Sequence, residues 1–278
     1  MTASTGDERR RRTAYREGAR VARERMHREA PLDAEALARL EAADVLVVPG
    51  SYDHVELVLD SLATPYTRID PGALEGARLR PEQLLVVNCP GHLSPRALER
   101  IRGFVAGGGS LFTTDWALKH VLEPGFPGVV AFNDRPTGDD VVRVEIREHD
   151  NPYLDGVMDG SDDPVWWLEG SSYPIRVLGE AEVLIASREL GERYGEDPVA
   201  VLFRHGGGEV LHMISHYYLQ RTELRTARHR VSAAMYAAEK GVSASPEAAG
   251  LSLGDVESAQ TSARLLANVM AKKKRSRR

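Results

Sequence analysis

Three short, uninterrupted apolar runs, each followed by a helix-like stretch, restrict what this chain can fold into. They lie at 44–48 (Asp-Val-Leu-Val-Val), 84–88 (Leu-Leu-Val-Val-Asn) and 111–114 (Leu-Phe-Thr-Thr). A strand with no polar face must be covered on both sides. Alternation of such strands with helices builds a parallel sheet. The intervening stretches fit. Residues 55–62 have helical apolar spacing, and Ser94 followed by Pro95 marks the start of a helix over 95–105. There serine accepts from the first turn and proline loses no useful N–H. Gly107, Gly108 and Gly109 end that helix.

The character changes after residue 140. Residues 141–146 alternate with period two, and 181–187, 198–203 and 209–215 read as strands with little helix between them. The last two are joined through His205-Gly-Gly-Gly208 as a hairpin, glycine supplying positive φ. A mixed sheet is therefore expected to extend the parallel one. Trp166 and Trp167 belong to a short strand in an inserted hairpin, either packed inside or exposed as a docking surface. Residues 222–240 are expected to form one helix, 241–250 a linker and 255–272 a further helix. That last helix carries an apolar stripe through Val256, Ala259, Ala263, Leu266 and Met270, the pattern of a core-facing or partner-docking helix. The organisation expected is a charged helical extension over 1–41, an α/β domain over 42–240, and a linker, helix and basic tail over 241–278.

Charge is distributed unevenly. The whole chain carries −5, but residues 1–30 carry +4 and the last seven residues +6, which leaves −15 on the middle. Basic ends suit solvated termini, weak non-specific contact with anions, or docking on the acidic body of another copy. The tail has no interleaved aromatics and no nucleic-acid module, so sequence-independent contact is the most it supports. Cys89 is the single cysteine, which excludes an internal disulfide and suits a reducing, cytoplasmic setting. The arginine-rich start has no apolar run behind it, so no secretory leader is expected. No segment approaches the ~18 apolar residues of a membrane span.

Ligands of parallel α/β sheets bind at the carboxyl ends of the strands. That edge collects Ser51, Tyr52, Asn88, Cys89, His92 and Thr114 as candidate ligand-binding residues, and Asp115 with His216 as a candidate acid/base pair. Each has a plainer role. Cys89 also reads as a small buried hydrophobe, and Asp115 as the N-cap of a helix over 116–122. His205, His212 and His216 suggest a metal, but strand geometry sets 212 and 216 roughly 13 Å apart. No metal and no cofactor are expected. Neither glycine triplet matches a phosphate-binding loop.

The pieces 45–50, 84–91, the helix running into 107–115, and 207–216 together resemble the class I glutamine amidotransferase-like superfamily, in its ThuA-like branch, over roughly residues 42–220. The resemblance implies a flavodoxin-like three-layer sandwich, mostly parallel, with helices on both faces. Active amidotransferases carry Cys at the strand-to-helix elbow and a late His followed two residues on by Glu. In this chain the elbow falls at Asp115, and Tyr218 follows His216. Acyl-enzyme chemistry needs an activated nucleophile there. The expectation is a non-catalytic domain that binds a small ligand or a protein partner. One alternative is a hydrolase or isomerase of a small polar or sugar-like substrate using Asp115 and His216. Another is a scaffold subunit, homo-oligomeric or part of an assembly, held by its terminal helices.

Overall fold

The computed structural model describes residues 5–216 and 221–276. Its framework is an α/β arrangement around a mixed sheet of eight strands. Strands β1 (Val45–Val48), β2 (Thr67–Arg68), β3 (Leu84–Val87) and β4 (Ser110–Thr114) form its parallel half. Two isolated pairs come next in the chain. In the first, β5 (Val130–Phe132) pairs with β9 (Ile175–Val177). In the second, β6 (Asp140–Arg143) pairs with β8 (Val165–Leu168). The remaining sheet strands are β7 (Glu145–Ile146), β10 (Glu182–Ala186), β11 (Pro198–His205) and β12 (Gly208–Met213). The order across the large sheet is β2-β1-β3-β4-β12-β11-β10-β7.

The pairing follows from the sequence. Strands β1, β3 and β4 are buried at every residue, and β12 lies parallel to β4 while returning antiparallel to β11. The hairpin closes at His205 opposite Gly208, as the glycine run predicts. The single strand expected over 141–146 is split. Its first half pairs with β8, a register that Val144 N–H extends by donating to the Pro164 carbonyl, and its second half pairs with β10.

The helices are α1 (Thr5–Glu29), α2 (Pro31–Ala38), α3 (Val55–Ser61), α4 (Pro95–Ala106), the single turn α5 (Glu123–Gly125), α6 (Arg188–Tyr194), α7 (Ala227–Arg230), α8 (Ala233–Glu239) and α9 (Leu253–Arg275). The Ser94 hydroxyl accepts from Ala97 N–H and caps α4 as its sequence suggests. The helix expected over 222–240 is broken between α7 and α8, where Ser232 bridges to Ser252.

Helix α9 is buried on every side from Leu253 to Ala271, apart from partly covered Asp255, although only one stripe of it is apolar. Several of its polar residues find individual partners. Asn268 donates to the carbonyls of Tyr153 and Asp155, Gln260 accepts from the Tyr236 hydroxyl, and Ser258 donates to the Val165 carbonyl. Helix α1 lies along it, and Gly18 permits the approach: a Cβ there would stand 2.7 Å from the backbone nitrogen of Gln260.

One buried group in this layer gives stability a pH dependence. Glu257 accepts from Arg228 and from the Asp163 amide, yet burial and the neighbouring Asp162 push its carboxyl up to about 7. The folded state therefore holds a proton that the unfolded chain releases near its ordinary value. Stability is lost as pH rises through that window. Comparing Glu257→Gln with the native chain by denaturant unfolding, the variant should gain on the order of 2–3 kcal/mol in relative stability between about pH 5 and about pH 8. A pH-independent difference would refute this.

Candidate functional site

The carboxyl ends of β1, β3, β4 and β12 meet a loop that follows β8, and four ionisable side chains converge there. The ends of β1 and β3 are locked by backbone contact. Ser51 and Tyr52 N–H both donate to the Cys89 carbonyl, at 3.1 and 3.3 Å. Cys89 N–H in turn donates to the Thr114 hydroxyl at 3.2 Å. The Cys89–Pro90 peptide is cis. Gly50 is obligatory in this packing, since a Cβ would lie 2.1 Å from the Cys89 carbonyl oxygen.

Asp115 occupies the corner after β4 with φ of 44°, in the left-handed region that aspartate tolerates better than most residues. Its side chain does not cap the following turn. Oδ1 accepts from Tyr173 N–H at 2.8 Å and Oδ2 from the Ser172 hydroxyl at 3.2 Å. The same Oδ2 lies 3.2 Å from His216 Nε2 and 3.9 Å from Cys89 Sγ. The other ring nitrogen of His216, Nδ1, lies 2.8 Å from Glu169 Oε2. Glu169 is brought there by the Ser215 hydroxyl, which donates to the Trp167 carbonyl and ties the end of β12 to β8.

These groups form the floor of a 250 Å³ cavity lined by Tyr52, Cys89, Asp115, Trp116, Glu169, Gly170, Ser171 and His216. Its wall is aromatic. Tyr52 is exposed and meets Trp116 edge-on, Trp116 stacks on Tyr173, and the Trp116 indole N–H holds the Ser171 carbonyl.

Burial opposes the charged forms of Cys89, Asp115 and His216, and the contacts decide the outcome. Burial would drive His216 down, but Asp115, Cys89 and Glu169 reverse this and hold the imidazolium well above its ordinary range. Burial raises Asp115, only partly offset by His216. Burial also raises the Cys89 thiol. His216 opposes the shift, while the Asp115 carboxylate adds to it.

Of the residues expected at this edge, Tyr52, Cys89, Asp115 and His216 line the cavity. Thr114 stands behind Cys89 as a backbone support, and Asn88 turns away to donate to Glu56. Ser51 is exposed, and His92 packs against His120 with ring centroids 4.3 Å apart and the rings tilted by 59°. The three histidines considered as a metal set are not gathered. His212 is buried against the Thr113 hydroxyl and pushed down to about 3 by burial, while His205 packs on Phe126. Tyr218 lies outside the described residues. Sequence reasoning missed Glu169, Ser172 and Tyr173. No spacing rule relates 169–173 to 115 and 216, and the only signal is a polar, glycine-containing turn directly after the tryptophan pair.

No helix among the described residues is long and apolar enough to cross a membrane. No family model and no curated protein matches the chain. Among solved structures it is similar to a cytoplasmic protein from Salmonella typhimurium, STM3548, at 15% identity and a TM-score of 0.44, over 63% of this chain and 88% of that one. It is also similar to the cold-adapted β-galactosidase from Rahnella sp. R3, at 17% identity and a TM-score of 0.44, over 64% of this chain but 29% of that enzyme. A third similar structure is the mmIFT52 N-terminal domain, at 9% identity and a TM-score of 0.42, over 63% of this chain and 87% of that one.

Proposed function

We propose that this chain is an enzyme, a hydrolase or isomerase of small polar substrates, in which Asp115 and His216 are the working pair and Glu169 holds the imidazole. The observation that carries this reading is the approach of Glu169 Oε2 and Asp115 Oδ2 to the two ring nitrogens of His216, at 2.8 and 3.2 Å, on the floor of an open cavity. A carboxylate on each side fixes the ring's orientation and leaves it beside the space where a substrate enters. At 250 Å³ the cavity is below the roughly 300–1,000 Å³ of drug-sized sites, so the substrate is small. The architecture we assign is the amidotransferase-like three-layer sandwich, with Asp115 at the elbow.

The chemistry is not that of a thiol nucleophile. An aspartate 3.9 Å from Cys89 Sγ disfavours the thiolate and would repel the oxyanion of an acyl intermediate. The test is a panel of small esters, amides, lactones and isomerisable hydroxy-carbonyl compounds, each presented to the native chain and to Asp115→Asn. Turnover of at least one compound should depend on Asp115. Equal rates on every compound turned over would overturn the reading.

A further inference from the structure

The geometry points to a divalent-cation site of the zinc class, with Cys89 Sγ, Asp115 Oδ2 and His216 Nε2 as ligands and an open position toward the cavity. This deepens the reading of the pocket as a reaction site that depends on Asp115 and His216, and rests on it: with an ion bound, the two would serve as its ligands in place of a free acid and base. The three donor atoms all lie within 4.8 Å of one another, with Oδ2 3.2 Å from Nε2 and 3.9 Å from Sγ. A tetrahedral ion at about 2.0–2.3 Å from each ligand needs donor separations of roughly 3.3–3.8 Å, so small side-chain adjustments close the site. Thiolate, imidazole and carboxylate together suit zinc and its neighbours rather than magnesium or calcium, which take oxygen sets.

A further observation supports this. The donors are held from behind as metal ligands are. Glu169 occupies the far nitrogen of His216, the Ser172 hydroxyl and Tyr173 amide hold Asp115, and the Thr114 hydroxyl holds the Cys89 backbone. Such partners fix the tautomer and orientation of ligands. All three donors line the cavity with Tyr52, Trp116 and Gly170, so a fourth ligand, water or a substrate oxygen, enters from that side.

The full chain, reduced and stripped with a chelator, should be titrated with Co²⁺ under near-ultraviolet absorption and with Zn²⁺ against a chromogenic chelator. One equivalent should bind and give a thiolate-to-cobalt charge-transfer band. Cys89→Ser should abolish the band, and Glu169→Gln, whose side chain is half-exposed, should keep the fold and weaken zinc about tenfold or more. Absence of the band in the native chain, or zinc affinity unchanged in both variants, would overturn the site. If no metal binds while turnover still depends on Asp115, only this inference falls. If metal binds at these residues while turnover ignores Asp115, the functional reading falls instead.

Discussion

Replacing Gly50 by alanine should destabilise the chain by about 3 kcal/mol and disable the site at the same time. The new Cβ would stand 2.1 Å from the Cys89 carbonyl oxygen, 2.7 Å from Asn88 Cβ and 3.0 Å from the Cys89 carbonyl carbon. Two of those atoms are backbone, so no rotamer change relieves the clash. The turn after β1 has to lift away from β3. Overpacking of this kind typically costs about 1–3 kcal/mol. The two N–H donors on the Cys89 carbonyl are pulled off as well, each worth roughly 1 kcal/mol. For a chain of this size the melting temperature should fall by roughly 6–12 °C. The displaced turn carries Tyr52 out of the cavity wall and shifts Cys89, and a misplacement of about 1 Å costs an enzyme about a hundredfold in rate. Gly72→Ala is the internal control. Nothing lies within 4 Å of its Cβ, and its stability should stay within about 0.5 kcal/mol of the native chain.

Asp115→Asn should leave the fold in place and lower turnover by at least about a hundredfold, toward the 10²–10⁴ contributed by positioned acid/base groups. Asparagine is the right substitution because it also tolerates the positive φ of 44° at this corner, whereas alanine would add backbone strain. Its amide oxygen still accepts from Tyr173 N–H, so the loop after β8 stays anchored. What it loses is the charge facing His216 Nε2. A melting temperature within a few degrees of native, together with collapsed activity, is the expected pair of readings. Collapse of both would mean that Asp115 is structural, and preservation of both would mean that it is idle.

The parts of the fold legible in the sequence are those where one local pattern decides the outcome. Strands β1, β3 and β4 announce themselves as unbroken apolar runs, and the β11–β12 hairpin by its glycines. Helix α9 was legible only in part. Its apolar stripe marks a buried face, but nothing in the sequence marks Glu257, Gln260, Arg264 and Asn268, which α1 and other neighbours also cover. The break between α7 and α8 depends on Ser232 meeting Ser252, a long-range contact that no helical propensity records.

The same division holds at the site. The strand-end rule placed Tyr52, Cys89, Asp115 and His216 at one edge, where they line a common cavity, but it says nothing about direction. Asn88 and His92 sit at that edge and turn elsewhere. Cys89 lies one strand before the elbow, yet neighbouring parallel strands end side by side, which sets its sulfur beside Asp115. Glu169 was invisible because it reaches His216 through the pairing of β8 with β6 and the Ser215 to Trp167 hydrogen bond.

The central claim is that Asp115, His216 and Glu169 act as one connected unit, and a double-mutant cycle on stability tests it without any substrate. Asp115→Asn, Glu169→Gln and the double variant should be unfolded in denaturant alongside the native chain, all stripped of metal. Because both carboxylates hold the same imidazole, from Nε2 and Nδ1, the two effects should depart from additivity by about 0.5–3 kcal/mol. Additivity within about 0.3 kcal/mol would mean that the two residues do not share the ring, and it would contradict the account.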